Sequence, residues 1–397
     1  MIQSSDKAGS TKEEPLPRRD WIILPLIGVF TIIVILGSTE WIARRMFAAS
    51  STGYERCMVV DDPHTGARGI PNSVCWEKAP ESPWIEYRFN SCGHRAGMEC
   101  GPKPAGTYRI VVIGSSVALG QRVQEEESFA ALLPRELTRR TGREVQVYNE
   151  AMGFSFSHST ALHFKEALAA QPDLVLWVLT PPDLSRGAEV VHQANPDPGA
   201  GLSFAKRNWR RLQDAFASKS FEAGAAVFFS FTKTAYMLQH FLYESQSETL
   251  ESFLRAPDDE AGYLRAKPSV AWQGFLRQFA SDAEGIEIQA KAAGIPVAAT
   301  LVPGRAQAAM ISVGAWPTAF DPYKLNDELR SIIVSDGGSY IDILPDFRSL
   351  PNPERLYFPM DGHPNVQGNA VICSMLARGL TGSAIPAPRN GSDRAAN

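Results

Sequence analysis

The chain has 397 residues, 44% hydrophobic and 21% charged, and its 39 Lys and Arg stand against 43 Asp and Glu for a net charge of −4. These values exclude global disorder, a collagen-like chain and a multi-span membrane protein. With no basic excess to neutralise phosphates, a dedicated nucleic-acid binder is excluded as well. The length suits one large α/β domain with additions, or two average domains.

Residues 1–20 form a polar tail, and Trp21–Gly37 is an uninterrupted apolar run of 17 residues, extended to Ala43 with a single charge at Glu40. That length reaches the lower limit for a membrane-spanning helix and predicts an anchor over 21–43. A cleaved signal peptide is the rival reading. Its apolar region is usually shorter, about 7–15 residues, and the Arg44-Arg45 pair that follows here disfavours processing. Lys7, Lys12, Arg18 and Arg19 precede the run, which predicts a cytoplasmic N-terminus. In a bacterium this is a single-pass inner-membrane protein with its body in the periplasm. Cys57, Cys75, Cys92 and Cys100 cluster just beyond the anchor without the C-x-x-C pairs of a zinc site. In an oxidising compartment they read as two disulfides, with 57–75 and 92–100 the favoured pairing. Cys373 stands apart and is expected as a buried thiol on a helix.

Residues 51–107 are rich in Pro, Gly and Cys and read as an irregular lead-in. From Tyr108 the texture changes. Short apolar runs at Arg109–Ile113, Val145–Tyr148, Leu174–Leu179, Val297–Val302 and Tyr340–Ile343 predict buried parallel strands. Helical spacing appears at Ser128–Arg139, Ser159–Ala170, Trp272–Ala293, Pro322–Ser335 and Asn365–Arg378. This alternation predicts a mostly parallel sheet with helices on both faces, over 108–380. Residues 185–261 interrupt it as a helical insertion, with helices at Asn208–Ala217 and Lys233–Leu254 and a polar joint at Glu244–Glu248. Residues 381–397 read as a disordered tail. No phosphate-binding glycine loop follows any strand and no His/Asp cluster has ligand spacing, so neither cofactor nor metal is expected.

In such sheets ligands bind off the carboxyl ends of the strands. The first strand ends at Gly114-Ser115-Ser116, where a serine hydroxyl is exposed at a strand-to-helix turn. Between the last strand and last helix lies Tyr357-Phe358-Pro359-Met360-Asp361-Gly362-His363-Pro364-Asn365. Pro364 suits a first helical position, which puts His363 at the helix mouth. Asp361, two residues earlier, is placed to accept the Nδ1 proton of His363 and leave Nε2 free as a base.

On these motifs the sequence resembles the SGNH (GDSL-type) hydrolases. "RIVVIGSSVALGQRVQEEESFAALLPREL" looks like that family's first block and "YFPMDGHPNVQGNAVI" like its last, with "VQVYNEAMGFS" and "PDLVLWVLTPPDL" between them. The resemblance implies a flavodoxin-like three-layer α/β/α fold and esterase or acyltransferase chemistry. It makes Ser116 the nucleophile, His363 the general base and Asp361 its partner, with an oxyanion hole from the Ser116 N–H and Gly153. Ser115 replaces the usual Asp, and the Asp–His spacing is shorter by one residue. More seriously, Thr180-Pro181-Pro182-Asp183 puts Pro182 where the family has its oxyanion asparagine. Losing one such donor costs roughly 2.7–4 kcal/mol in a serine hydrolase. Asn149 and Arg305 are candidate substitutes, and Asp183 is a further candidate for substrate binding. The expected substrate is an acylated envelope polysaccharide or glycolipid. The alternative is an envelope binding or assembly protein that keeps the fold with little turnover. The oligomeric state is left open.

Overall fold

The computed structural model describes residues 17, 19–51, 54–62, 66–185, 232–256 and 261–383. Helix α1 (Asp20–Met46) carries mean hydropathy 2.5 over its most apolar stretch, and among the residues of α1 only Ala43 is buried. Its 27 residues reach about 40 Å, enough to cross a hydrocarbon core. Among the described residues it is the one helix long and apolar enough to do so. Its length and composition suit a membrane anchor or a signal sequence.

The lead-in is more regular than its sequence suggests. Strands β1 (Ser50–Ser51), β2 (Met58–Asp62), β3 (Gly66–Gly69), β4 (Val74–Lys78) and β5 (Trp84–Arg88) form two small antiparallel sheets, β1-β4-β5 and β2-β3. Each strand is only two to five residues long, and Trp76 and Trp84 face outward, so no clean alternation marks them. The Cys57–Cys75 and Cys92–Cys100 disulfides pin this region, and Cys373 is a buried free thiol.

The body is a five-stranded parallel sheet in the order β10-β9-β8-β6-β7. In chain order the elements are β6 (Tyr108–Gly114), α2 (Ser116–Leu119), α3 (Phe129–Thr141), β7 (Val145–Asn149), α4 (Ser157–Ala169) and β8 (Leu174–Leu179). After the insertion helices α5 (Lys233–Tyr243) and α6 (Gln246–Arg255) come α7 (Val270–Ala293), β9 (Val297–Leu301), α8 (Arg305–Val313), α9 (Lys324–Asp336), β10 (Ser339–Tyr340) and α10 (Val366–Ser383). Every residue of β6, β8 and β9 is buried, as strands covered on both faces must be. Helix α3 packs on α10, and α4 packs on α7, which also meets α9. In the core, Trp177 of β8 stacks against Phe279 of α7 with ring centroids 5.1 Å apart.

The strand order reverses between β6, which pairs with β7 on one side, and β8 on the other. The loop leaving β6 therefore opens at the topological switch point of a doubly wound, flavodoxin-like sheet, where such folds place ligands. Ser116 begins that loop's helix.

Three expectations need correction. The last strand is two residues long; Ile341 continues it with one N–H bond to Ala299 O before the chain turns into a 3₁₀ segment. Helix α8 has no counterpart among the predicted elements. Seven successive residues from Arg305 to Ile311 are buried, so it has no polar face to give a helical period. Pro364 is not the first helical residue: it bridges Tyr357, and Asn365 caps α10 by accepting the Gly368 N–H at 3.0 Å. In the insertion the polar joint separates α5 from α6, whereas Asn208–Ala217 lies outside the described residues, as does nearly all of the two tails.

Helices α4 and α7 are tied by His158 Nδ1 on Asp282 Oδ1 at 2.9 Å. The hydrogen bond to Asp282 raises the imidazole pKa against partial burial. A raised folded value stabilises below the unfolded imidazole value and is lost as pH rises through the folded one. Urea midpoints of the wild type are thus expected to fall across that window, and those of His158→Gln to lose this component.

Candidate active site

Glycine at 114 is dictated by the turn. Its φ is +144°, and a Cβ there would sit 2.3 Å from the carbonyl oxygen of Val178 on the neighbouring strand. The chain then reverses into α2 with Ser115 as N-cap and Ser116 as first helical residue, half-buried at the sheet's carboxyl end. The Ser116 N–H belongs to the first helical turn, which has no intrahelical acceptor.

From the opposite end of the chain, the turn 357–364 returns to this point. The Tyr357–Pro364 bridge and bonds from Phe358 N to His363 O and from Gly362 N to Phe358 O, each 2.9 Å, close it, with Gly362 at φ +81°. His363 Nε2 lies 2.8 Å from Ser116 Oγ, and its Nδ1 is hydrogen-bonded to Asp361 Oδ1. Residues 247 positions apart thus form a serine–imidazole–carboxylate chain in the geometry that activates a hydroxyl. Burial pushes the Asp361 carboxyl up, but the His363 hydrogen bond and the charge of Arg122 outweigh it and hold the group far below the usual carboxylate range.

Arg122, which no sequence pattern singles out, adds to that stabilisation. Its Nε donates to Asp361 Oδ2 at 2.9 Å, on the oxygen that His363 leaves, and its Nη1 pairs with Glu77 of β4 at 2.5 Å. It does so from a left-handed backbone, φ +75°, a conformation costing a non-glycine residue about 1–3 kcal/mol. The Tyr87 hydroxyl accepts the Arg122 N–H at 3.1 Å. The carbonyls around it are gathered by buried Arg95, which donates to Gly120 O at 2.8 Å and Val123 O at 2.9 Å and stacks on the Tyr87 ring. Arg95 and Asn90 are therefore framework. Asn90 holds its own turn through Cys92 N and His94 N and reaches Tyr148 Oη at 3.0 Å.

The other candidates divide. Gly153 lies in the turn after β7, next to Met152, whose N–H bonds Gly114 O at 3.1 Å, so it stays close to the turn that carries Ser116. The Asn149, Asp183 and Arg305 side chains are engaged elsewhere. Asn149 donates to Ala118 O and accepts from Ala151 N, which fixes the β7 exit against α2. Asp183 Oδ2 accepts from Thr180 N and Thr180 Oγ1 at 2.6 and 2.7 Å, closing the turn that Pro181 and Pro182 open. Arg305 is buried with its three guanidinium nitrogens on the carbonyls of Glu354, Pro359 and Tyr243. Its role is to fix the backbone ahead of Asp361. Pro182 is exposed and supplies no donor. Among the described residues no group of three His, Cys, Asp or Glu side chains is arranged to hold a metal ion.

No family model matches the chain, and no curated protein matches it in sequence. Solved structures similar to it include TesA, at 11% identity and TM-score 0.37 over 69% of this chain and 98% of that one. Another is a mutant of Axe2, an acetyl-xylooligosaccharide esterase from Geobacillus stearmophilus, at 11% and 0.38 over 74% and 100%. A lipase/acylhydrolase from Enterococcus faecalis aligns at 12% and 0.37 over 71% and 100%.

Removing the Arg122 cation lets the Asp361 pKa rise toward its ordinary value and takes positive charge from beside His363. Arg122→Gln is expected to lower kcat on a small ester and to shift the acid limb of kcat/KM to higher pH. Steady-state rates across the acid range check this.

Proposed function

We propose that the protein is a membrane-anchored serine hydrolase or acyltransferase acting on ester-linked acyl groups. The observation that carries the reading is the 2.8 Å contact between Ser116 Oγ and His363 Nε2, with Asp361 on the other imidazole nitrogen. His363 takes the Ser116 proton as Oγ attacks the ester carbonyl. Asp361 holds the tautomer and stabilises the imidazolium, which then protonates the leaving alcohol. The Ser116 N–H and the Gly153 N–H are the donors assigned to the developing oxyanion in this reading. The acyl-enzyme passes its acyl group to water or to a sugar hydroxyl.

Helix α1 supports anchoring, with the body on the periplasmic face. The disulfides suit an oxidising compartment. An acylated envelope glycan or glycolipid fits that location and is the proposed substrate class. A second reading, a binding or assembly protein with little turnover, draws on Pro182, which leaves the oxyanion hole one donor short of the SGNH pattern.

Full-length protein in detergent is expected to react with a fluorophosphonate probe, Ser116→Ala not at all and His363→Ala about 10²–10⁴-fold more slowly. Equal labelling of all three removes the hydrolase reading. Labelling without turnover of aryl acetates favours the second. An alkaline phosphatase fused after residue 50 is expected to be active in a bacterial host and one fused at residue 15 inactive; the reverse pattern overturns the topology.

A further inference from the structure

The lead-in reaches the triad a second time. Glu81, in the β4–β5 connection, has a side chain only 2% exposed, and a buried carboxylate is sustained only by dedicated partners. One set comes from the catalytic turn: Glu81 accepts the Asp361 N–H at 2.9 Å and the Met360 N–H at 3.1 Å. The other comes from insertion helix α5, whose His240 Nδ1 lies 2.5 Å from Glu81 Oε1, with the Tyr236 hydroxyl beside the same carboxylate. Tyr236 and His240, four residues apart on one helix face, also pack on Phe47 at ring-centroid distances of 5.3 and 4.9 Å.

We infer that Glu81 is a positioning residue of the triad, and that the insertion takes part in catalysis by holding it through His240. Arg122 grips the Asp361 side chain; Glu81 grips its backbone. Together they fix both ends of the residue that orients His363. Removing the carboxylate strands two N–H groups of the turn and lets Asp361 move. A displacement of about 1 Å at such a site costs on the order of 10²-fold in rate.

This inference rests on the hydrolase reading, and the test separates the two. The first readout, the low-field NMR signal of the His363 Nδ1 proton in the full chain in detergent, needs no turnover. It is expected in the wild type and lost in Glu81→Ala through exchange with water; an unchanged signal in Glu81→Ala overturns the inference whether or not the protein hydrolyses anything. The second is the fluorophosphonate rate. Glu81→Ala is expected to react roughly 10²-fold more slowly, Glu81→Gln to recover part of the loss, and Glu81→Ala to add nothing in an Asp361→Asn background. Wild-type rates in Glu81→Ala, or a full additional loss in that background, also overturn it, whereas failure of the wild type to label removes only the hydrolase reading. Should Glu81→Ala not fold, His240→Ala leaves the carboxylate in place. It is expected to slow labelling roughly five- to tenfold and to broaden the same proton signal, and no change in either overturns the inference.

Discussion

An ionised carboxylate held away from water beside an imidazole is the constraint around which this molecule is organised. Asp361 is useful to His363 only as an anion, and burial opposes that state. The hydrogen bond from His363 and, on the second oxygen, the fixed cation of Arg122 together resolve the conflict. The position of Arg122 is itself imposed. The left-handed backbone at residue 122, the Tyr87 hydroxyl on its N–H, and Glu77 on its far side each fix it further. Arg95 holds the carbonyls on either side of that backbone. The small β1-β4-β5 sheet thus supplies two of the supports of this counter-charge, Glu77 and Tyr87. The Cys57–Cys75 disulfide ties β4, the strand that carries Glu77, to the segment before β2.

Much of the architecture was legible in the sequence because buried parallel strands announce themselves. Val-, Ile- and Leu-rich runs such as 109–113 and 174–179 fit little else in an alternating chain. Ser116, Asp361 and His363 were legible too, since a serine at the first strand's exit and a D-x-H motif ahead of the last helix are a prediction about space. Arg122, Glu77 and Glu81 were not. Each is an ordinary charged residue in a loop or short strand, and its importance comes from partners up to 280 positions away. No local pattern carries that information. Helix α8 was hidden for the opposite reason, being buried all round.

The two candidate substitutes for the missing oxyanion donor follow a related rule. Asn149 and Arg305 sit at strand ends, as a ligand-binding residue should, yet both spend their donors on backbone carbonyls. Strand-end loops need internal hydrogen bonds of their own, and a polar side chain there serves the loop first. Pro182 is consistent with that: the turn after β8 is closed by Asp183 on Thr180 and needs nothing from its neighbour.

Glu40, the one charge between Trp21 and Ala43, has a partner in the body. Its carboxylate caps the start of α5, accepting the N–H groups of Lys233 and Thr234 and the Thr234 hydroxyl at 2.9–3.1 Å. Helix α1 is therefore joined to the body by more than chain connectivity. A soluble version cut at Arg44 would open the first turn of α5 and, with it, the support of His240. A shortened form of this protein would do better to keep residues 38–47 and shed apolar surface upstream, so that the last turns of α1 still close the start of α5.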